Sequence, residues 1–448
     1  AHYNLLDAEL VTQIYDHTRI VDFILGRMFY SGLTFHRLNL STAAFDHYFL
    51  PRFHRAGHVA GNVVDISRDD HAAGGHVLEP QTGLHQHVVV LDFKSLYPSI
   101  IRTFKIDPYS RLKANEDPLQ NPSGIPFSRS HHFLPARLEN LMQEREEAKQ
   151  KGEGPMAQAI KILMNSFYGV MGSAGSRFYH ADLPTAITTT GKWALTKASE
   201  FLQEEGHEVL YGDTDSVFVK LKESEKTEPF LRGERLAKRV TKFLEDRIQR
   251  EFQTTSYLNL EFEKYYRQIF FPRARGLESG AKKRYSGLLV KKEGERTREE
   301  IQFVGMEFVR SDWTRLAKNF QYELFRRLFY QEEIDDFIRD FVRRLKEGEF
   351  DDQLVYKKRL SKSLDEYTRS HPPHVKAALL LGEKERSTLR EVSYVYTRRG
   401  PRPVQLDHDD VDYQHYIEKQ LQPLAENVLE TFGKRFDDLV IGDQLTLF

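Results

Sequence analysis

Three aspartates stand at the ends of apolar runs, where a buried strand would leave the core. Asp92 directly follows four apolar residues, and Asp213 and Asp215 flank Thr214 between two apolar arms. Two carboxylates crowded at a rigid tip repel each other, and a divalent cation between them relieves that repulsion. An ordinary turn rich in aspartate and glycine has the same composition. Each acidic segment alone therefore leaves both interpretations open.

Complementary positive charge lies in a predicted helical hairpin, with helices over about 135–151 and 155–168. Helical spacing groups five polar residues on it: Arg145, Lys149, Lys161, Asn165 and Tyr168. Three cations and an amide suit a triphosphate, whose oxygens accept many hydrogen bonds. The alternative is a solvated face on which these bases pair with neighbouring glutamates, Glu144, Glu146 and Glu147.

Taken together, carboxylates at two strand ends and a cationic helix pair are the components of two-metal phosphoryl transfer. One metal ion would activate a 3′-hydroxyl group. The other would hold a triphosphate and stabilise the leaving pyrophosphate. The combination favours this chemistry more strongly than either part does.

The elements that must position these residues alternate between helix and strand. Residues 1–60 are predicted to be mainly helical, and 61–87 to be a loop before the buried strand HVVVLDF. Residues 107–130 are predicted to be a loop, and 184–205 a helix. Two strands are predicted in HEVLYGDTDSVFVKL, followed by an amphipathic helix over 228–252. Strands and loops are predicted to about 310. The remainder is predicted to be mostly helical, with a Pro-rich break at 371–374 and a strand pair near 390–405.

Composition restricts the classes of protein that fit. The length of 448 residues suggests about three domains. With 40% hydrophobic and 29% charged residues, the sequence is neither disordered nor collagen-like. The absence of cysteine excludes disulfides, thiol nucleophiles, cysteine zinc sites and iron–sulfur clusters. No stretch approaches 18 uncharged apolar residues, so we expect no membrane partner.

Four segments resemble motifs of family B DNA polymerases, in the order and with the approximate spacing of that family. They are DFKSLYPSII at 92–101 (motif A), KILMNSFYG at 161–169 (motif B), YGDTDS at 211–216 (motif C) and KKRY at 282–285, the element that contacts primer–template DNA. The resemblance covers roughly residues 86–448. PPHVKAA at 372–378 and DYQHYIEKQLQP at 412–423 are similar to bacterial members of the family.

The resemblance implies an α+β fold shaped like a right hand, with an antiparallel-sheet palm, helical-hairpin fingers and a mostly helical thumb. The implied domains are an exonuclease remnant with a linker (1–85), palm with motif A (86–130), fingers with motif B (131–170), palm with motif C and KKRY (171–310), thumb (311–443) and a clamp-binding tail (444–448).

It also implies roles for individual residues in template-directed addition of dNTPs to a primer. The catalytic residues would be Asp92, Asp213 and Asp215. Two Mg²⁺ ions, with Mn²⁺ as an alternative, would be held by Asp92, Asp215 and the Phe93 carbonyl. Tyr97 would lie under the deoxyribose and exclude a 2′-hydroxyl. The dNTP-binding set would be Phe93, Leu96, Tyr97, Arg145, Lys149, Lys161, Asn165 and Tyr168.

A further palm carboxylate is implied at Glu261 or Glu263, and an ordinary exposed strand position is an equal alternative there. The chain is nearly neutral overall but contains clusters of basic residues. These clusters would neutralise DNA phosphates without reading sequence. Tyr285 is either a DNA contact or a core residue. The implied DNA-binding set is Lys282, Lys283, Arg284, Tyr285, Lys357, Lys358 and Arg359.

The last residues resemble the peptide by which bacterial proteins bind a sliding clamp. An extended tail can seat apolar side chains in a hydrophobic pocket, and the alternative is a tail packed on its own thumb. The implied clamp-binding residues are Gln444, Leu445, Leu447 and Phe448.

Only Tyr3 and Asp7 match a proofreading-exonuclease motif, Y-x-x-x-D, so we expect no proofreading. We also expect a cytoplasmic, nucleoid-associated monomer that acts in DNA repair or replication restart. Two other classes remain open: a metal-dependent nuclease or primase-like nucleotidyltransferase, and a catalytically silent scaffold that binds DNA and a clamp.

Overall fold

The helices and strands of the chain group into two units. Unit 1 comprises Ala1–Leu78 and Val90–Glu263, and unit 2 comprises Glu79–Val89 and Lys264–Phe448. The computed structural model describes residues 2–66, 77–274, 279–368 and 371–440. In these ranges no helix is both long enough and apolar enough to cross a membrane.

Unit 1 begins with three helices, which confirms the helical prediction for residues 1–60. They are α1 (His2–Thr18), α2 (Ile20–Ser31) and α3 (Ser41–Arg55). Phe45, Phe49 and Phe53 recur at every fourth position of α3 and are buried, as helical periodicity requires for one apolar face. Tyr3 and Asp7, in contrast, lie on exposed positions of α1.

Strand β1 (Gly83–Phe93) starts within the predicted loop 61–87 and carries the apolar run to Asp92. The predicted loop 107–130 is also wrong in part, because it contains α5 and a short strand pair. Buried Asp107 accounts for α5, since its carboxylate accepts the Ser110 N–H at 2.6 Å and caps the helix. The elements here are α4 (Leu96–Phe104), α5 (Pro108–Leu112), β2 (Pro118–Leu119) and β3 (Phe127–Ser128).

The predicted helical hairpin is confirmed as α6 (Leu134–Gln150) and α7 (Gly154–Met171). The start of α6 is capped by a residue that lies well before it in the sequence. The second oxygen of the Asp107 carboxylate accepts the N–H groups of Phe133 at 2.6 Å and Leu134 at 2.9 Å. One buried carboxylate therefore caps both α5 and α6.

The rest of unit 1 supplies the predicted helices and the strand pair. These elements are α8 (Asp182–Glu204), β4 (Glu208–Asp213), β5 (Ser216–Lys220), α9 (Pro229–Phe252) and the beginning of β6 (Leu260–Phe271). Within this unit the strand order is β4-β5-β1-β6. A Cβ at Gly212 would lie 2.8 Å from Leu78 Cδ1, so a larger residue between Tyr211 and Asp213 would force the Leu78 side chain to move.

Unit 2 continues β6 into an antiparallel meander with β7 (Tyr285–Glu293) and β8 (Arg296–Val304). Its central helix, α10 (Arg315–Tyr330), starts at Thr314, whose hydroxyl accepts the Ala317 N–H at 3.2 Å. The other helices are α11 (Asp335–Lys346), α12 (Pro373–Leu379), α13 (Glu383–Arg386), α14 (Tyr413–Tyr416), α15 (Gln422–Leu429) and α16 (Phe436–Val440).

The predicted strand pair near 390–405 is confirmed as β10 (Glu391–Thr397) and β11 (Gly400–Pro403). A third strand, β9 (Tyr356–Arg359), pairs with the other edge of β10 and was not predicted, because YKKR lacks apolar alternation. The Pro-rich break also differs from expectation, since Pro373 starts α12 at a position where a missing N–H costs nothing.

Candidate active site

A cavity of about 520 Å³ lies in unit 1, where β1, the β4–β5 turn and β6 approach α4, α6 and α7. It collects side chains that are up to 169 residues apart in sequence (92 to 261). The residues named from the sequence that line it are Asp92, Phe93, Leu96, Tyr97, Arg145, Lys149, Lys161, Asn165, Tyr168, Asp215 and Glu261.

Four further residues line the cavity and were not singled out from the sequence: Lys94, Ser95, Pro98 and Thr214. All four are interior to motifs A and C. Their position beside the aspartates is the signal that could have identified them.

The two aspartates of the cavity are held by strand backbone. The Phe93 N–H donates to the Asp215 carbonyl at 2.8 Å, and the Lys94 N–H donates to the Asn259 carbonyl at 2.9 Å. The end of β1 is thereby fixed between the β4–β5 turn and the start of β6. Thr214 adopts a left-handed φ of 54°, which is rare for a β-branched residue. Such strain is concentrated at functional sites.

Asp213 is not among the residues that line the cavity. It closes the hairpin by pairing with Ser216, and its backbone bridges Val77. Its Oδ1 accepts a hydrogen bond from the Thr214 hydroxyl at 3.1 Å. The structure thus brings Asp92 and Asp215 into the cavity and leaves Asp213 in the supporting turn.

The donor set of the cavity fits Mg²⁺. Asp92, Asp215 and the backbone of Phe93 offer hard oxygen ligands on rigid elements, and Mg²⁺ is usually held by one or two carboxylates together with substrate phosphates and water. Within the described ranges, no group of three or more histidine or acidic residues could hold a metal ion by itself. A two-carboxylate site completed by substrate agrees with both observations.

The three cavity cations that were predicted to bind the triphosphate differ in their partners. Lys149 donates to Glu146 at 2.9 Å, so the local pairing considered from the sequence is present for this residue. Arg145 and Lys161 form no ion pair in the described part of the chain. The Arg145 Nε is buried without a hydrogen-bond acceptor, a costly arrangement that an anionic ligand would relieve.

Two tyrosines form the apolar wall of the cavity. The rings of Tyr97 on α4 and Tyr168 on α7 have centroids 4.5 Å apart and are inclined at 44°. Burial, followed by the proximity of Tyr168 and Asp215, raises the pKa of Tyr97 to about 12. Burial also raises the pKa of Tyr168. Both hydroxyls therefore stay protonated at physiological pH. Leu96, which also lines the cavity, is buried.

Of the two candidate carboxylates on β6, the structure brings Glu261 to the cavity and not Glu263. Glu261 Oε1 lies 3.2 Å from Lys94 Nζ, so the glutamate is neutralised by a lysine from motif A.

The basic residues predicted to bind DNA lie in unit 2 and divide into two kinds. Lys282 and Lys283 are exposed, as are Lys357, Lys358 and Arg359 along β9. Arg284 differs, because it lies 2.5 Å from Glu307, whose side chain is 1% exposed, and balances a buried charge. The ring of Tyr285 packs in the core against Tyr266 and Phe271, which agrees with the core alternative.

The predicted clamp-binding residues, Gln444, Leu445, Leu447 and Phe448, lie outside the described residues.

With the motifs gathered in one cavity, comparison with known proteins defines the class. A sequence profile of DNA polymerase family B matches residues 41–432, and the chain belongs to this family. It is 42% identical over 463 aligned residues to DNA polymerase II of Escherichia coli K12, with all of this chain and 58% of that protein covered. It is 31% identical to DNA polymerase 2 of Aeropyrum pernix, with 85% of this chain and 47% of that protein covered.

A solved structure that resembles this chain is also a family B DNA polymerase. The family B DNA polymerase of the hyperthermophilic archaeon Pyrobaculum calidifontis matches with a TM-score of 0.64 and 27% identity, over 92% of this chain and 54% of that one. The chain thus spans between 47% and 58% of the length of these relatives.

Proposed function

We propose that the chain extends a DNA primer by template-directed addition of dNTPs, with the unit 1 cavity as its active site. The observation that carries this proposal is that one cavity gathers the acidic residues of motifs A and C and the cationic residues of motif B and α6. Acidic and basic side chains occupy different elements around it, as a reaction between a metal-bound triphosphate and a hydroxyl requires.

In this proposal the residues of the chain bind and orient the reactants. Asp92, Asp215 and the Phe93 carbonyl hold Mg²⁺ or Mn²⁺, which when bound would lower the pKa of the primer 3′-hydroxyl and neutralise the phosphates. Arg145, Lys149 and Lys161 bind the triphosphate and stabilise charge on the leaving pyrophosphate. Asn165 adds a neutral donor, and Asp213 keeps the turn that carries Asp215 in place.

Tyr97 is proposed to select the sugar. Its ring lies in the cavity wall beside Tyr168, so a nucleotide bound by the cations would place its sugar and base against these two rings. In this position the Tyr97 ring would occupy the space into which a 2′-hydroxyl would project. Tyr168 would then border the new base pair.

The exposed lysines and arginine of unit 2 are proposed to bind the phosphates of primer–template DNA. Lys357, Lys358 and Arg359 form a continuous basic edge on β9, which binds any sequence because phosphates carry no base information. Basic residues on an edge strand also prevent unwanted pairing with other strands. We assign the DNA contact to Lys282, Lys283 and this edge, and a structural role to Arg284 and Tyr285.

The last five residues are proposed to bind a bacterial sliding clamp, on the strength of their sequence alone. A clamp tether raises the local concentration of DNA without changing the active site. Deletion of residues 444–448 should therefore leave single-nucleotide insertion unchanged and remove stimulation by a loaded clamp on a long primed template. Equal stimulation of the deleted and intact chains would refute this assignment.

Primer extension tests the main proposal. The 448-residue chain is incubated with a primer–template duplex, Mg²⁺ and each dNTP singly. We expect incorporation of the nucleotide complementary to the first template base, and no incorporation after chelation of the metal. Shortening of either strand would identify a nuclease, extension without regard to template would identify a different transferase, and DNA binding without extension would identify a scaffold.

A further inference from the structure

Glu146, on α6, lies between two lysines that line the unit 1 cavity. Its carboxylate accepts a hydrogen bond from Lys149 at 2.9 Å, and its Oε1 is 3.6 Å from Lys94 Nζ. The hydrogen bond from Lys149 is the largest of the causes that lower the pKa of Glu146. Glu146 is therefore an anion at neutral pH that already binds one of the cations assigned to the triphosphate.

The other lysine, Lys94, also pairs with a second carboxylate, that of Glu261. Lys94 Nζ lies 3.2 Å from Glu261 Oε1 as well as 3.6 Å from Glu146. Lys149, Glu146, Lys94 and Glu261 thus form a row of alternating charge, of which Lys149, Lys94 and Glu261 line the cavity. Because Lys94 and Lys149 both approach the same oxygen of Glu146, Oε1, Lys94 weakens the attraction between Glu146 and Lys149.

The two remaining cations of the cavity have no such counterion. Arg145 and Lys161 form no ion pair in the described part of the chain, and the Arg145 Nε is buried without an acceptor. Among the three cations assigned to the triphosphate, only Lys149 has an ion-pair partner in the described part of the chain, while Arg145 attracts Glu146 at longer range. A set of three cations without any such partner would hold pyrophosphate, as well as the triphosphate, more tightly.

We propose that Glu146 competes with phosphate for Lys149, and thereby weakens triphosphate binding and speeds the release of pyrophosphate. The inference rests on the proposed function and assigns a specific role within that site. A phosphate group that reaches Lys149 displaces Glu146, and Glu146 forms its pair with Lys149 again as pyrophosphate leaves. Lys94 is a positioning residue that acts through Glu146.

Glu146→Gln should tighten the binding of phosphate compounds. Both partners of the pair are 42% exposed, and exposed ion pairs make small contributions, so we expect a change of about two- to fivefold. The KM for dNTP should fall by this factor while kcat for incorporation of one nucleotide stays constant. Pyrophosphate should inhibit at a concentration lower by a similar factor, and the differences should shrink as salt screens the charges.

Glu147→Gln is the matched control. Glu147 is the next residue on the same helix, carries the same charge and accepts a hydrogen bond from Gln143 at 3.0 Å, whereas Lys94 and Lys149 pair with Glu146. We expect wild-type values for this variant. An equal change in both variants would show that the general charge of α6, and not the pair with Lys149, is responsible.

Lys94→Met should act in the opposite direction, because Glu146 is then attracted by Lys149 alone. The KM for dNTP should rise about twofold. In the Glu146→Gln background the same change should have no effect if Lys94 acts through Glu146. An undiminished effect in the double variant would instead make Lys94 a direct phosphate ligand and would refute its positioning role.

A binding measurement tests the inference without relying on catalysis. Inorganic triphosphate is titrated calorimetrically into the wild-type chain and into Glu146→Gln, with Mg²⁺ and without DNA. We expect the variant to bind about two- to fivefold more tightly. Equal affinity, or weaker binding by the variant, would refute competition. Wild-type primer extension in a parallel assay decides the proposed function separately, so the two can fail independently.

Discussion

Units 1 and 2 each contain a cavity lined by basic and acidic side chains, with volumes of about 520 and 660 Å³. In the unit 2 cavity each arginine has acidic partners within the chain: Arg327 lies 3.1 Å from Glu323, and Arg344 lies 2.7 Å from Glu349. Each also lies over a phenylalanine ring. In the unit 1 cavity, Arg145 and Lys161 have no acidic partner among the described residues.

This difference indicates which charged side chains pair within the fold and which are available to bind a ligand. Paired charges on a helix surface contribute little and need no other explanation. The Nε atoms of Arg145 and Arg327 are both buried without a hydrogen-bond acceptor, but Arg327 also has ion-pair partners, whereas Arg145 has none in the described part of the chain. The two cavity cations without an ion pair lie on α6 and in motif B, so the pattern of charge pairing and the family resemblance select the same site.

The largest effect should follow the loss of a metal-binding carboxylate. Asp92→Ala or Asp215→Ala should reduce primer extension by about 10³-fold or more, because metal ions supply several kcal/mol of transition-state stabilisation. Binding of the DNA duplex, measured by fluorescence anisotropy, should change little. Asp340→Ala in the unit 2 cavity is the control and should extend primers normally. Undiminished extension by either unit 1 variant would refute the metal assignment.

The buried carboxyl group of Asp107 should make the stability of the fold depend on pH. Asp107 is fully buried, and burial raises its pKa from 3.8 to about 6 despite N–H donors that favour the ionised form. The folded chain then holds this proton more tightly than the unfolded chain. The contribution of Asp107 to stability is complete below pH 4 and is lost as pH rises to about 6, a change of up to about 3 kcal/mol.

Asp107→Asn removes this titration. The difference in urea midpoint between wild type and variant should therefore vary between pH 4 and pH 6 and become constant above pH 7. The comparison of the two proteins cancels the contributions of other carboxylates. A pH-independent difference would show that Asp107 has an ordinary pKa and caps α5 and α6 without strain.

The contrast between the two cavities predicts unequal effects of removing a cation. Lys161→Ala should lower kcat/KM for dNTP by about 10- to 100-fold, because hydrogen bonds between charged groups contribute about 1.5–3 kcal/mol. Arg327→Ala removes a cation of unit 2 and should leave kcat/KM unchanged. Titration of single-nucleotide incorporation with dNTP measures both. Equal losses of kcat/KM in the two variants would show that the absence of an ion-pair partner at Lys161 does not matter for dNTP incorporation.

A smaller effect is expected for sugar selection. Tyr97→Ala should reduce the preference for dNTP over rNTP about tenfold, since rejection of an added hydroxyl by shape alone is modest. Tyr97→Phe keeps the ring and should retain the preference. The ratio of incorporation efficiencies for the two sugars decides between the variants. If alanine and wild type give the same ratio, Tyr97 is a packing residue.

Much of the site could be predicted because its residues lie within short segments of characteristic spacing. The strand ending at Asp92, the α6–α7 hairpin and the turn at Thr214 were all predicted within a few residues of their observed bounds. The choice of Glu261 over Glu263 could not be predicted, since residues two apart on a strand share a face and differ only in how far along the strand they lie from the cavity. The same holds for Asp213, whose place in the supporting turn depends on tertiary structure.

The errors in the fold have two causes, which are a capping residue next to the helix that it starts and pairing with a strand that lies far away in sequence. Helix α5 lies in a segment rich in loop-forming residues and depends on the cap from buried Asp107. Strand β9 has no apolar alternation and forms because β10 offers a free edge. The core position of Tyr285 on β7 depends on the rings of Tyr266 and Phe271, which lie on β6. The Asp107 cap is visible in a local window of sequence, whereas the partners of β9 and Tyr285 are not.

The most direct test of the central claim is a crystal structure of the chain with Mg²⁺, a primer–template duplex whose primer ends in a dideoxynucleotide, and the next complementary dNTP. We predict the triphosphate within hydrogen-bonding distance of Arg145 and Lys161, the metal ions on Asp92 and Asp215, and the deoxyribose against the ring of Tyr97. A nucleotide bound elsewhere, with the unit 1 cavity empty, would contradict the account.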